Sequence, residues 1–222
     1  MTPKMLSFKD TLVRGAEEMG TPLNESQITA FHKHAELLLK WNKTHNLTAI
    51  TDPVEMAVKH WLDSIYVLSA LKQDGAKLMD LGTGAGFPGI PIKIMRPDLF
   101  ITLIDASRKK TTFLLMAIHE LGLSGIKAVH GKAGKTDVNK YGSFDIIISR
   151  AVSDLSSLWQ IAEPLLSAQG LFLSMKGLRV NDELVRFKKS ESCRGLKIIT
   201  NFYTLPILKA RRCLVSVQRG NT

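Results

Sequence analysis

The stretch "KLMDLGTGAGFPGIP", Lys77 to Pro91, puts four glycines, Gly82, Gly84, Gly86 and Gly89, into eight positions directly after a short apolar run. A strand that feeds a glycine-rich turn at the carboxyl edge of a parallel sheet marks a site for a nucleotide-type ligand. Glycine adopts positive φ freely and lets a ligand approach the backbone without meeting a Cβ. The next apolar run, "FITLID", ends on Asp105, nineteen residues after Gly86. A carboxylate there can accept hydrogen bonds from both hydroxyls of an adenosine ribose.

Downstream, short β-like runs alternate with helical ones: "KLMDLG", "FITLID", "IKAVH", "FDIIIS", "GLFLSMK", "LKIITNFY" and "RCLVSVQ". Helical segments run from Arg108 to Leu121 and from Asp154 to Ser167. This alternation predicts an α/β fold with a mostly parallel, seven-stranded sheet covered on both faces. Only "TLPILKAR" joins the last two runs, too short for a helical crossover, so that final pair is expected to be antiparallel. Upstream the chain reads as helices. "NESQITAFHKHAELLLKWNK" aligns Ile28, Phe31, Ala35, Leu38 and Leu39 on one face, with Asn24 or Ser26 as the cap. A shorter helix follows Pro53, with Met56, Trp61, Ile65 and Leu68 inward. Residues 1–75 thus read as a helical extension and 76–222 as the α/β domain.

The totals agree with one globular unit and its appendage: 222 residues, 45% apolar, without repeats or low-complexity tracts. No apolar segment approaches the roughly 18 residues of a membrane span, and the N-terminus lacks the apolar block of a signal peptide. The expectation is a cytoplasmic protein without membrane contact. Cys193 and Cys213 form no CxxC pair and read as ordinary thiols, with no metal site. The net charge of +10 is lopsided: residues 1–75 carry eight Lys/Arg against nine Asp/Glu, residues 76–222 twenty-two against eleven. A basic excess confined to one region suits a polyanionic partner, although a solvated basic face has the same composition.

Two cofactor classes compete for the loop. Gly84-x-Gly86-x-x-Gly89 matches the dinucleotide fingerprint, but the strand ends near Leu81, and counted from Gly82 the pattern fails at Phe87. Pro88 also stands where a phosphate-binding helix needs free N–H groups. What remains, Asp80-Leu81-Gly82-x-Gly84-x-Gly86, resembles the first motif of S-adenosylmethionine-dependent methyltransferases, whose loop wraps a zwitterionic aminoacyl group. Other methyltransferase signatures are missing. No cysteine follows a proline or a glycine loop, and the position of an amine-methylating (Asn/Asp)-Pro-Pro-aromatic motif reads "ISRAVSDL". Of a Lys-Asp-Lys-Glu ribose-methylating tetrad only Lys176 fits. A ring nitrogen such as N7 of guanine needs no base, because its lone pair is free at neutral pH. Arginine is the usual partner of the two acceptors on that guanine edge, and Arg150 ends the predicted fourth strand.

"WNKTHNLTAITDPVEMAVKHWLDS", "DLGTGAGFPGIPIKI", "FDIIISRAVSDL" and "MKG" together resemble the ribosomal RNA small-subunit methyltransferase G family, from about Trp41 to the C-terminus. The resemblance implies a Rossmann-like class I methyltransferase domain behind a helical extension. It also implies S-adenosylmethionine-dependent methylation of a guanine ring nitrogen in the decoding-site stem-loop of 16S ribosomal RNA. Carried over by position, Gly82, Gly84, Gly86 and Phe87 of the loop belong to the cofactor site, Asp105 is the ribose acid, Ala133 and Gly134 frame the adenine, and Arg150 closes the site as the catalytic residue. The family has a glutamate where Gly134 stands, and "RRCLVSV" keeps Arg212 but departs at Arg211 and Cys213. The chain is expected to act as a monomer without an obligate protein partner, on 16S RNA within the small subunit or an assembly intermediate. Alternatives are a ribose or exocyclic-nitrogen RNA methyltransferase, a non-catalytic S-adenosylmethionine-binding assembly protein and a dinucleotide-dependent oxidoreductase.

Lys132, Lys176, Lys209, Arg211 and Arg212 are the candidates for RNA contact. His32 and His34 sit two apart on a helix and are read as solvated rather than metal-binding. Trp41 and Trp61 are read as core. His60 and Asp63, within "KHWLDS", are read as capping and bracing the domain junction.

Overall fold

The computed structural model describes residues 3–134, 141–150 and 153–220; Ala151 and Val152 of "SRAV" lie outside the described residues. Helix α1 (Pro3–Glu18) is followed by α2 (Glu25–His45), which begins at a reciprocal cap. Asn24 Oδ1 accepts the Gln27 N–H at 2.9 Å, and Gln27 Oε1 accepts the Asn24 N–H at 3.0 Å. Asn24, rather than Ser26, is therefore the cap. α2 ends on Asn46 in the left-handed region, at φ 49°, where asparagine is one of the few side chains tolerated.

The next helical stretch is irregular. α3 (Pro53–Met56), capped by Asp52, runs into a π-helical turn over Ala57–Leu62, then α4 (Asp63–Tyr66) and a 3-10 turn at Val67–Ala70. A π turn widens the helix and shifts the faces that follow it; such turns concentrate at functional sites. This one carries His60.

The sheet contains β1 (Lys77–Leu81), β2 (Phe100–Asp105), β3 (Ile126–His130), β4 (Phe144–Arg150), β5 (Leu166–Lys176), β6 (Leu196–Thr204) and β7 (Arg211–Arg219). Their order is β3-β2-β1-β4-β5-β7-β6. β7 alone runs against the rest, paired antiparallel with both β5 and β6. All seven predicted strands are present, and the short connection makes the last pair a hairpin. Helices α5 (Gly89–Met95) and α6 (Arg108–Glu120) cover one face, α7 (Leu155–Ala162) and α8 (Val180–Lys189) the other.

The N-terminal helices share a core with the sheet. Phe8, Leu12, Phe31, Leu38 and Trp61 pack in one continuous cluster with Leu78, Ile90, Leu103 and Ile148. The opposite face closes over Trp159, Phe172 and Phe187. Trp61 is fully buried as expected, whereas Trp41 is half-buried at the edge of the same cluster. His34 corrects the solvated reading: it is fully buried, with Trp61 and Phe87 each 5.3 Å away between ring centroids. It falls in register with Phe31, Ala35 and Leu38, and the face those residues define packs inward. Burial holds its pKa down to about 3, so the imidazole is neutral.

Candidate active site

Parallel strands end together. Because the order runs β2-β1-β4-β5, Asp105, Leu81, Arg150 and Lys176 finish side by side at the carboxyl edge. A cavity of about 680 Å³ opens over them. Its wall includes Gly82, Thr83, Gly84, Phe87, Asp105, Arg150 and Lys176, together with Thr48 from the loop between α2 and α3, His60 and Asp63 from the helical stretch after it, and Arg212 from β7.

The glycine loop is braced from beneath. The N–H groups of Gly82 and Thr83 both donate to the Ile104 carbonyl, at 2.9 and 3.1 Å. Asp80 Oδ2 accepts the Thr83 hydroxyl at 2.6 Å and the Gly89 N–H at 2.8 Å. Full burial raises the Asp80 pKa to about 6, against the pull of those two donors. The glycines divide their labour. Gly84 sits at φ +63°, and a Cβ there would meet nothing within 4 Å, so this residue faces open space. Gly89 needs its bareness for packing, since a Cβ would lie 2.2 Å from Leu103 Cδ2 and 2.8 Å from Asp80 Oδ2. Gly86 backs onto the Ile90 side chain and does not line the cavity.

Asp105 ties the loop to the second strand. Its Oδ2 accepts the Gly84 N–H at 2.9 Å and its Oδ1 the Ser107 N–H at 2.8 Å. Lys110 Nζ stands 4.0 Å away. A carboxylate has about four acceptor positions, so two remain for a pair of ligand hydroxyls.

The other end of the cavity is a knot of charges from four segments. Arg150 Nη1 donates to the Lys59 carbonyl at 2.8 Å and stands 3.5 Å from Asp63 Oδ2. Its Nη2 meets His60 Nδ1 at 3.2 Å, and its guanidinium carbon lies 5.3 Å from the Phe87 ring centre. The His60 ring stacks on Phe87, 4.6 Å between centroids and 16° between planes. Asp63 is buried; its Oδ1 accepts the Tyr203 hydroxyl at 2.8 Å and its Oδ2 lies 3.9 Å from Arg212 Nε. Burial raises the Asp63 pKa, while the Arg150 charge and the Tyr203 bond oppose the rise. Burial first and the neighbouring Arg150 charge second hold His60 down to about 3.

The candidates read from the sequence are only partly gathered here. Gly82, Gly84, Phe87, Asp105, Arg150, Lys176 and Arg212 line the cavity; Gly86, Lys132, Ala133, Gly134, Lys209 and Arg211 do not. Lys176 is nearly buried, donating to the Ser153 carbonyl and, at 2.7 Å, to Glu183. Lys209 pairs with Glu18 at 2.6 Å, and Arg211 is exposed at the start of β7. Thr48, His60 and Asp63 had no assigned place in the site. Their signal is the family-like "NLT" and "KHWLDS"; pattern alone reads His60 and Asp63 as capping and bracing the domain junction and assigns Thr48 nothing. No cluster of potential metal ligands occurs among the described residues, and none of their helices is long and apolar enough to cross a membrane.

The strand order, with a glycine loop leaving β1 and an acid ending β2, defines a class I methyltransferase architecture. A similar fold occurs in an S-adenosylmethionine-dependent methyltransferase from Aquifex aeolicus, at TM-score 0.57 and 14% identity over 78% of this chain and 97% of that one. The chain belongs to the rRNA small subunit methyltransferase G family, whose profile matches residues 27–205. It is 41% identical over 221 residues to the ribosomal RNA small subunit methyltransferase G of Pelotomaculum thermopropionicum, covering 97% of this chain and 92% of that protein. The protein of the same name from Geobacter sp. strain M21 is 38% identical over 215 residues, covering 96% and 99%.

Proposed function

We propose that this chain uses S-adenosylmethionine to methylate N7 of a guanine in the decoding-site stem-loop of 16S ribosomal RNA. Family membership supports RNA of the small ribosomal subunit as the substrate. The cavity fits the cofactor, because Gly84 leaves a cradle that a Cβ would enter and Asp105 keeps two acceptor positions. When bound, the cofactor supplies a methyl group on a sulfonium centre. Gly82, Gly84 and Phe87 would hold its aminoacyl end, on a loop that Gly86 shapes, and Asp105 its ribose. Ala133 and Gly134 would frame the adenine from the segment after β3, and Arg150 closes the acceptor end.

The observation that carries the ring-nitrogen reading is that the acid and the histidine at the acceptor end are both engaged, while the open positions of Asp105 lie at the cofactor end. Asp63 is held by Tyr203 and two arginines, and Asp105 by backbone N–H groups. His60 cannot take a proton at Nδ1, because Arg150 occupies that lone pair. An acceptor that must lose a proton is poorly served here; a ring nitrogen with a free lone pair is not.

Residues 76–222 form the transferase unit, and residues 1–75 form an extension that completes the acceptor wall. The RNA docks on the basic half, where Arg211, Arg212, Lys209 and Lys132 meet phosphate and Lys176 contributes fixed positive charge. The target guanine leaves its stack to reach the cavity. The chain acts as a monomer in the cytoplasm, on the small subunit or an assembly intermediate.

The test is a transfer assay with labelled cofactor on protein-free 16S RNA, small subunits and a protein control, followed by nucleoside analysis. Label in 7-methylguanosine is expected. Label in another nucleoside contradicts the ring-nitrogen reading. No label on RNA, with cofactor binding intact, contradicts the RNA acceptor.

A further inference from the structure

Thr48 lines the cavity beside His60, and the hydrogen bonds around it leave one direction of donation open. Arg150 Nη2 stands 3.2 Å from His60 Nδ1. A guanidinium only donates, so Nδ1 is the acceptor. The neutral ring then carries its proton on Nε2, which lies 3.0 Å from Thr48 Oγ1. The Thr48 hydroxyl therefore accepts from His60. It accepts a second time, from the Ile50 N–H at 3.1 Å. A hydroxyl has two acceptor positions and one proton. Both acceptor positions are filled, and among the described residues no acceptor takes the proton. Thr48 can serve a cavity ligand only as a donor.

We infer that Thr48 reads the six-position of the target base, donating its hydroxyl proton to a purine O6 carbonyl. This inference rests on the guanine N7 reading. N7 receives the methyl group and must keep its lone pair free, which leaves O6 as the other acceptor on that edge. An adenine presents an amino donor at the same place, and Thr48 has no acceptor position with which to receive it. Donor facing donor is a repulsive pairing, so a single hydroxyl separates the two purines. The discrimination is fixed by the chain Arg150, His60, Thr48, in which each group sets the hydrogen-bonding role of the next. Aligned chains of this kind polarise one another and strengthen the last bond.

The experiment pairs two protein variants with two RNAs. Thr48→Val keeps the shape and removes the hydroxyl; Thr48→Ser keeps the hydroxyl. The RNAs are 16S molecules ligated around a synthetic segment carrying either guanine or 2-aminopurine at the mapped target; 2-aminopurine retains N7 and lacks O6. On guanine RNA, Thr48→Val is expected to lose about tenfold or more in kcat/KM, with Thr48→Ser within about threefold of wild type and cofactor affinity unchanged. On 2-aminopurine RNA the wild type is expected to lose as much, and Thr48→Val to lose nothing further, because both changes remove the same bond. Additive losses would overturn the inference, since they are the mark of a purely structural Thr48. Full activity of Thr48→Val with 7-methylguanosine as product would overturn it while leaving the N7 reading intact. Wild-type label in a different nucleoside would overturn the N7 reading, and the inference with it.

Discussion

The two ends of the cavity are built differently. The glycine-loop end comes from consecutive residues: Asp80 beneath, Gly82 and Gly84 at the wall, and Asp105 one strand away. Nearly every contact there involves backbone. The Arg150 end draws on residues as distant as Thr48, Asp63, Arg150, Tyr203 and Arg212, and most of its contacts run side chain to side chain, the Lys59 carbonyl and the Ile50 N–H being the backbone exceptions. A local turn with a backbone lining can be held by any chain that keeps the glycines. A charged knot of side chains exists only when the whole sheet and the N-terminal helices have assembled, so it can be shaped to one acceptor. The first end suits a ligand shared by many enzymes, the second a substrate particular to this family.

That difference predicts unequal costs. Asp63→Asn removes the carboxylate that faces two guanidiniums and receives Tyr203; about 2–4 kcal/mol of stability should go with it, since breaking a buried pair strands its partners. Chemical denaturation of the variant checks this, and an unchanged midpoint would mean the knot contributes nothing to the fold. Within the loop, Gly89→Ala should cost about 1–3 kcal/mol by overpacking against Leu103. Gly84→Ala, in open space, should cost about 1 kcal/mol from its positive φ and weaken cofactor binding instead. Thermal melting beside cofactor titration separates the two.

Acid sensitivity probes the core behind the knot. His34 and His60 titrate near 6.5 when unfolded and are held down to about 3 when folded. Their contribution is complete above pH 6.5 and is lost as pH falls toward 3, at about 1.4 kcal/mol per pH unit for each group at the steepest. Asp80 acts oppositely: its pKa is raised to about 6, so its effect favours the fold below 3.8 and fades as pH rises through 6. His34→Leu should therefore flatten the loss of stability between pH 6.5 and 5 by about 1 kcal/mol per unit, measured by denaturation at each pH. An unaltered slope would mean that His34 is not held neutral. The smallest effect belongs to exposed Arg211. Arg211→Gln should lower the salt dependence of RNA binding by about one unit of slope if it meets phosphate.

The sequence reveals the first end more fully than the second for the same reason. "DLGTGAG" and Asp105 state a strand, a turn and an acid in order, and short β-like runs, nearly continuous in apolar residues where the sheet is buried on both faces, mark all seven strands. His34 is buried because the spacing of Phe31, Ala35 and Leu38 includes its position, and this outweighs the usual preference of an imidazole for solvent by keeping the ring neutral. His60 and Asp63 were legible as part of a motif but not as cavity wall. Their placement depends on the π turn at Ala57–Leu62 and on β4 ending beside them, and neither follows from local periodicity. Thr48 becomes legible only once Arg150 fixes the tautomer of His60.

The central claim is that the two ends serve separate partners, and it is tested most directly by comparing Asp105→Asn with Arg150→Ala. Cofactor affinity would be measured by calorimetry and methyl transfer in a single turnover at saturating cofactor. Asp105→Asn should weaken cofactor binding about tenfold or more and recover most of its transfer at saturation. Arg150→Ala should bind cofactor within about an order of magnitude of wild type, and saturation should leave its transfer at least about a hundredfold down. Recovery of both variants at saturation, or of neither, would contradict the division.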